Sequence, residues 1–366
     1  MTLAASAAAA PALLLAAPAF LESVPSFIAT IFGLGALIAA HEFGHLLVAV
    51  AMGMRVEVYS IGFGPRLWGF KRGDTDYRLS AIPLGGYCRI AGFTVDDPAA
   101  HDWNDPGSYV NKPAWRRFLV IAAGPGVNWL CAIAIVAGLY ATSGFYDPTT
   151  NKVQVIDGGP AAAAGMQSGD RIVAIDGALV TSFQELVEGL HRAGPPVKAV
   201  VVERAGQKVT LQVKPEDGRI RVSQAPDRNT VPLGQALPRA VVVVWEMTAN
   251  NLRALAQVFQ GSGGASVSGP IGIVKQAASA LKASLADFVA LLAQISVGLA
   301  VFNFLPVPAL DGGRLVFLTY EVISRRRVNA QVEMVVNAAG ALMLFALFLG
   351  ITVFGDLGLW HKLFPK

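Results

Sequence analysis

The chain has 366 residues, 54% of them hydrophobic and only 15% charged, with a formal net charge of +4. Soluble domains carry about a quarter charged residues, so this balance excludes an ordinary soluble enzyme and points to the membrane. The basic residues flank apolar runs instead of clustering, which argues against nucleic-acid binding, and two cysteines (Cys88 and Cys131) without a CxxC argue against a disulfide scaffold or a thiolate metal site.

At the N-terminus, residues 4–20 are alanine-rich and interrupted by Pro11 and Pro18, and whether they add a membrane segment stays open. The first basic residue is Arg55, so the positive n-region of a cleaved signal peptide is missing and the segment is read as retained. Four apolar runs, 24–52, 118–140, 288–307 and 332–354, reach the length of about 20 residues that crosses a bilayer. The predicted layout is 1–54 for the N-terminal segment and first span, 55–115 for a cytoplasmic-side β-hairpin region, and 116–145 for the second span. It continues with 146–225 for a folded outer domain, 226–286 for amphipathic juxtamembrane helices, 287–312 for the third span, 313–330 for a loop, and 331–366 for the fourth span and C-terminus.

Orientation follows from lysine and arginine in short connections, which stay cytoplasmic. The first connection carries Arg55, Arg66, Lys71, Arg72, Arg78, Arg89, Lys112, Arg116 and Arg117, and the last carries Arg314, Arg325, Arg326 and Arg327. Both therefore face the cytoplasm, and the long region between spans two and three lies outside. In the first connection, 55–61 and 76–82 alternate polar and apolar residues about the turn KRGDTD, the pattern of a hairpin tucked against the membrane face. In the outer region, 153–156, 171–175, 197–203 and 209–213 read as strands and 181–192 as a helix. Residues 237–259 read as an amphipathic helix on the membrane surface, with a fifth span as the alternative.

The motif that carries chemistry is HEFGH, His41 to His45, inside the first span. Residues four apart share a helix face, so His41 and His45 can offer imidazole nitrogens to one metal ion with Glu42 beside it. Ionisable groups in a span are costly, and an otherwise aliphatic helix has no packing need for two histidines and a glutamate in five positions. Catalytic zinc takes three protein ligands and keeps one position for water, so a third ligand is required. Asp311, in NFLPVPALDGG where the third span gives way to proline-broken backbone, is the candidate. Both ligand sets approach the cytoplasmic side, because spans one and three run in the same direction. Two imidazoles and a carboxylate favour Zn2+ over other divalent ions.

HExxH in the first span, GPGVN in the second (Gly124 to Asn128), IPLGGYCRIAG in the first connection, SGPIGI (Ser268 to Ile273) and NFLPVPALDGG together resemble the bacterial site-2 proteases over nearly the whole chain. The segment GGPAAAAGMQSGDRIVAIDG resembles the signature of PDZ domains. Better-known enterobacterial relatives carry two tandem PDZ domains where this chain has room for one. The resemblance implies a polytopic α-helical membrane protein of about four transmembrane helices, with a membrane-associated β-hairpin and one extracytoplasmic PDZ-like α+β domain, in the bacterial inner membrane. It implies a zinc metalloendopeptidase that cuts membrane-spanning segments of single-span proteins, such as anti-sigma factors or signal-peptide remnants. Zinc would sit on His41, His45 and Asp311, and Glu42 would serve as base and then acid. Asn303 and Asn128 would donate hydrogen bonds to substrate, and the glycines Gly85 and Gly86 would lie at an edge strand that pairs with an unwound substrate. The PDZ-like domain would exclude bulky substrates or recruit peptide C-termini. The alternatives are a catalytically silent scaffold that binds partners through this domain, and a metal or proton transporter.

Overall fold

The computed structural model describes residues 9–93, 104–145, 151–156, 158–181, 183–191, 196–216, 219–225, 230–260 and 269–356. Residues 1–8, Ser268 of the SGPIGI motif and 357–366 of the predicted layout lie outside them. The chain divides into two compact units, one of Met1–Ile135 with Met247–Lys366 and the other of Val136–Glu246.

In the first unit, α1 (Ala9–Ala51) is one unbroken helix, so the alanine-rich segment from Ala9 onward continues into the first span instead of forming a separate element. Among the described residues, four helices are long and apolar enough to cross a membrane: Pro25–Ala51 of α1, α2 (Ala114–Thr142), a later helix Leu285–Phe304, and Gln331–Val353. Little of the last is covered by protein, and an apolar helix exposed on all sides needs lipid as its solvent.

The first connection forms β1 (Val56–Arg72) and β2 (Thr75–Ile90), antiparallel about a turn in which Gly73 has φ +60°. These strands are long enough to double back: Tyr59 lies opposite both Tyr77 and Cys88, and Ile61 opposite both Leu79 and Gly86. Residues 58–61 are therefore paired on both sides, and the hairpin becomes a small curled sheet. It rests on the C-terminal half of α1 instead of beyond its end. The Tyr59 hydroxyl donates to the Ala39 carbonyl at 2.8 Å, and a Cβ on Gly35 would stand 2.6 Å from the Pro83 oxygen. The alternating pattern predicted a hairpin at the membrane face. The structure sets it at residues 35–42 of the span, where internal pairing satisfies the backbone of residues 58–61 on both sides and Phe63, Leu67, Trp68 and Phe70 point outward. Leu46, Met54, Val56, Ile90, Tyr109, Ile121 and Leu315 form one buried cluster at the base of this assembly.

The third span also ends sooner than predicted. After α5 (Leu233–Gln260) and α6 (Pro270–Ala283), α7 (Leu285–Phe304) stops before Pro306 and Pro308, which lack the N–H a helix interior needs. Asp311 opens a new helix, α8 (Asp311–Ser324), and α9 (Ala330–Gly350) follows.

The second unit contains a four-stranded antiparallel sheet in the order β5–β4–β6–β7 (Ala178–Leu179, Arg171–Ile175, Lys198–Arg204, Gln207–Val213). A two-stranded pair, β3 (Val153–Val155) with β8 (Val222–Gln224), and the helices α3 (Pro160–Ala163) and α4 (Phe183–His191) complete it. Ala205 and Gly206, at φ +50° and +80°, make the tight turn between β6 and β7. Its core gathers Val153, Met166, Ile172, Leu186, Val200, Val202 and Ile220. The portion of α5 in this unit buries Ala236, Ala240, Val243 and Val244 on one face and exposes Leu237, Val241 and Trp245. It is amphipathic and is not among the four candidate spans.

Candidate metal centre

The centre is built on the spacing of α1. His41 and His45, one turn apart, are both buried, and their Nε2 atoms stand 3.2 Å from each other with the ring planes nearly perpendicular. Asp311 comes to them from the first residue of α8, with Oδ2 3.0 Å from His41 Nε2 and 3.4 Å from His45 Nε2. The three are the only group of metal-ligating side chains of this kind among the described residues.

Two glycine contacts make this approach possible. A Cβ on Gly124, in the GPGVN motif of α2, would lie 2.4 Å from His45 Nε2 and 2.8 Å from His41 Cε1. A Cβ on Gly44, between the two histidines, would lie 2.5 Å from the Ala123 carbonyl oxygen. Both distances are shorter than non-bonded atoms tolerate, so α1 and α2 meet at the histidines only because both positions lack a side chain. The LDGG turn follows the same rule. Side chains at Gly312 and Gly313 would run into the carbonyls of Leu305 and Val307 at 2.0 and 2.5 Å, and one at Gly340 of α9 would meet Pro308 at 2.4 Å. Asn337 of α9 accepts the Ala309 N–H at 3.0 Å, which ties down a residue held at φ +72° two positions before Asp311.

The electrostatics fit a cation. A backbone carbonyl only accepts, so the Val120 oxygen 2.8 Å from His45 Nδ1 fixes the proton there and leaves Nε2 with its lone pair. Asp311 Oδ2 is buried with no hydrogen-bond donor among the described residues, although it faces both Nε2 atoms. Lone pairs gathered at 3.0–3.4 Å repel one another unless an ion lies between them. Ligand bonds of about 2.0–2.1 Å in a tetrahedron place neighbouring ligand atoms roughly 3.3 Å apart, so the donor set has the size zinc requires.

Glu42 is half-buried beside the pair, and its Oε2 accepts the Cys88 N–H of β2 at 3.0 Å. The hairpin thus holds the carboxylate in place, a contact between residues 46 apart that no local pattern announces. Gly86 has a packing reason of its own, because a Cβ there would lie 2.5 Å from the Ser60 oxygen of the adjacent strand, while Gly85 sits at φ +115°. The two asparagines differ. Asn303 is half-buried with no side-chain hydrogen bond among the described residues, whereas Asn128 is sealed from solvent with Nδ2 3.3 Å from His41 Nδ1. Gly44, Cys88 and Gly124 carry a sequence signal only as members of the motifs HEFGH, IPLGGYCRIAG and GPGVN, whereas nothing in the sequence marks Val120, Asn337 or Gly340.

The profile of Peptidase family M50 matches residues 29–347, which contain every one of these groups. The chain belongs to Peptidase family M50. The M50 family is that of the site-2 proteases, and similar members agree along nearly their whole length. A Mesorhizobium japonicum protein provisionally named a zinc metalloprotease is 33% identical over 361 residues, covering 89% of this chain and 97% of its own. A Clostridium perfringens protein with the same provisional name is 33% identical over 332 residues, with 88% and 96% covered. The metalloprotease MmpA of Caulobacter vibrioides is 33% identical over 386 residues, with 91% and 94% covered. This M50 member is a zinc-dependent metalloprotease with helices of membrane-spanning character, which removes the silent-scaffold and transporter readings.

Proposed function

We propose that this M50 protease cleaves membrane-spanning segments of single-span membrane proteins within the bilayer, with His41, His45 and Asp311 as its zinc ligands. The observation that carries the reading is the convergence of the Asp311 carboxylate on two histidines of the apolar span Pro25–Ala51, where a site meets only chains that enter the membrane. Zinc, when bound, supplies Lewis acidity that brings the pKa of a water toward neutrality. Glu42 takes the proton of the attacking water and returns it to the leaving amine, so the carboxylate ends as it began. The Cys88 N–H holds Oε2, which leaves Oε1 for the proton. Asn303 donates its side-chain amide to the scissile carbonyl.

A helical substrate hides its carbonyls in i to i−4 hydrogen bonds and must unwind to be cut. The edge of β2 from Gly86 to Ile90 receives the unwound stretch by strand addition. Supporting this, residues 86–89 pair with β1 on one side only. Anti-sigma factors and signal-peptide remnants are the substrate classes of this reading. The protein sits in the bacterial inner membrane with the metal centre toward the cytoplasm and the 151–223 module, read as a PDZ-like fold, outside.

The test is cleavage of a model single-span substrate in liposomes by the wild type, Glu42→Gln and Asp311→Asn, with bound zinc measured in each. The wild type is expected to cut, Glu42→Gln to keep zinc but lose activity by at least about 100-fold, and Asp311→Asn to lose both. A zinc-loaded Glu42→Gln that cuts as fast as wild type overturns the assignment. Strand addition adds one arm: proline placed in the substrate beside the scissile bond, where it removes a ladder donor, is expected to slow cleavage, and unchanged cleavage discards the edge-strand role.

A further inference from the structure

The two ligand histidines have different outer neighbours. His45 Nδ1 meets the Val120 carbonyl, an acceptor that admits one tautomer. The sole partner of His41 Nδ1 among the described residues is the side chain of Asn128, placed with Nδ2 at 3.3 Å. An amide nitrogen donates, so in this orientation His41 Nδ1 holds the lone pair and the ring proton falls on Nε2. That proton would point among Asp311 Oδ2 and His45 Nε2, at 3.0 and 3.2 Å, and deprive the site of a ligand. Meanwhile Asn128 Oδ1 is buried with no partner. Turning the amide by 180° exchanges two atoms of nearly equal size and places Oδ1 against His41 Nδ1–H; Nδ2 then takes the unpartnered position, so what decides the orientation is the His41 Nε2 lone pair that the metal centre needs. The backbone there is anchored, because the Asn128 carbonyl accepts from the Ser296 hydroxyl of α7 at 2.8 Å.

We infer that Asn128 is a positioning residue of the metal centre: its Oδ1 accepts from His41 Nδ1–H and commits the Nε2 lone pair to zinc, as the Val120 carbonyl does for His45. This rests on the reading of His41, His45 and Asp311 as ligands. It reassigns Asn128, which is 0% exposed and has no surface to offer a substrate. Of the two asparagines, only Asn303 is left to contact substrate. Asn128 belongs to the class of outer partners that fix the tautomer and ring orientation of a ligand histidine.

The experiment measures zinc affinity of the full chain in detergent, by competition with a chromogenic chelator, for the wild type, Asn128→Leu, Asn128→Asp and His41→Ala. Leucine keeps the volume and removes the acceptor, and is expected to weaken zinc about 10- to 100-fold. Aspartate keeps an acceptor against Nδ1–H and is expected to bind zinc nearly as tightly as wild type. Asn128→Leu with wild-type zinc affinity overturns the inference, whatever its cleavage rate, and makes Asn128 a packing residue. Equal weakening by leucine and aspartate also overturns it, because packing alone accounts for that result. If His41→Ala binds zinc as tightly as wild type, the ligand reading itself fails and the inference falls with it. Histidine ring 15N shifts of the zinc-loaded wild type need no variant: Nδ1 protonated and Nε2 metal-bound is expected for His41, and binding through Nδ1 overturns the inference.

Discussion

Gly124 illustrates how a residue without a side chain can govern a metal centre. Its α-carbon faces the two imidazoles, and a methyl group 2.4 Å from His45 Nε2 occupies space that the ring or the ion needs. Gly124→Ala is therefore expected to lower zinc affinity by at least about tenfold, the cost of misplacing a ligand shell, while the helices remain formed. Metal content after dialysis against a graded chelator series checks this, and a fully loaded alanine variant would show that the helices yield at low cost. The same scale separates Asn128 from Asn303. Both are asparagines in apolar helices, and only burial and the nearest ring nitrogen give them different tasks.

Among the elements, the hairpin and the sheet of the second unit show two uses of β structure. The β1–β2 hairpin carries exposed aromatic side chains and brings the Cys88 N–H to Glu42. The sheet β5–β4–β6–β7 depends instead on a polar clamp. The Asp170 carboxylate, 1% exposed, receives Arg204 Nε and Nη2 at 2.7 Å each and the Gln167 N–H at 2.9 Å. Burial raises its pKa, but Arg204 and the backbone donor outweigh that, and the net position lies below the ordinary carboxylate value. A carboxylate with a lowered folded-state pKa contributes stability that is complete above about pH 4 and is lost as pH falls through the folded value. Hydrogen-exchange protection of β4 and β6 is thus expected to stay level from neutrality to about pH 4 and to decline below it. Asp170→Asn is expected to lose about 2 kcal/mol of local stability at neutral pH and to flatten that decline. An unchanged acid profile in the variant would assign the transition to another group.

At the scale of the whole molecule, the 151–223 module stands apart from the chemistry of the metal centre. Acting as a size filter, it would leave the chemistry intact when removed. Deletion of 151–223 is expected to permit cleavage of substrates that still carry bulky outer domains, with trimmed substrates cut at the wild-type rate. Loss of cleavage for both substrates, with zinc still bound, would make the module a recruiter instead. The measurement is a paired assay of long and trimmed substrate in liposomes.

Much of this molecule is legible in one dimension. Length and hydropathy determine the spanning helices, because about 20 apolar residues in succession have few other stable environments. Spacing determines that His41 and His45 share a face, and the cost of ionisable groups in lipid marks Glu42 and Asp311 as functional. What the sequence could not decide is contact between residues far apart along the chain. The hairpin's depth on α1 depends on Gly35 meeting Pro83, and the entry of Asp311 depends on Gly340 meeting Pro308. The tautomer of His45 depends on a carbonyl 75 residues away. Hydropathy records which solvent a residue prefers, whereas these contacts are set by where backbones can approach, and that is decided only when the helices and the hairpin pack together.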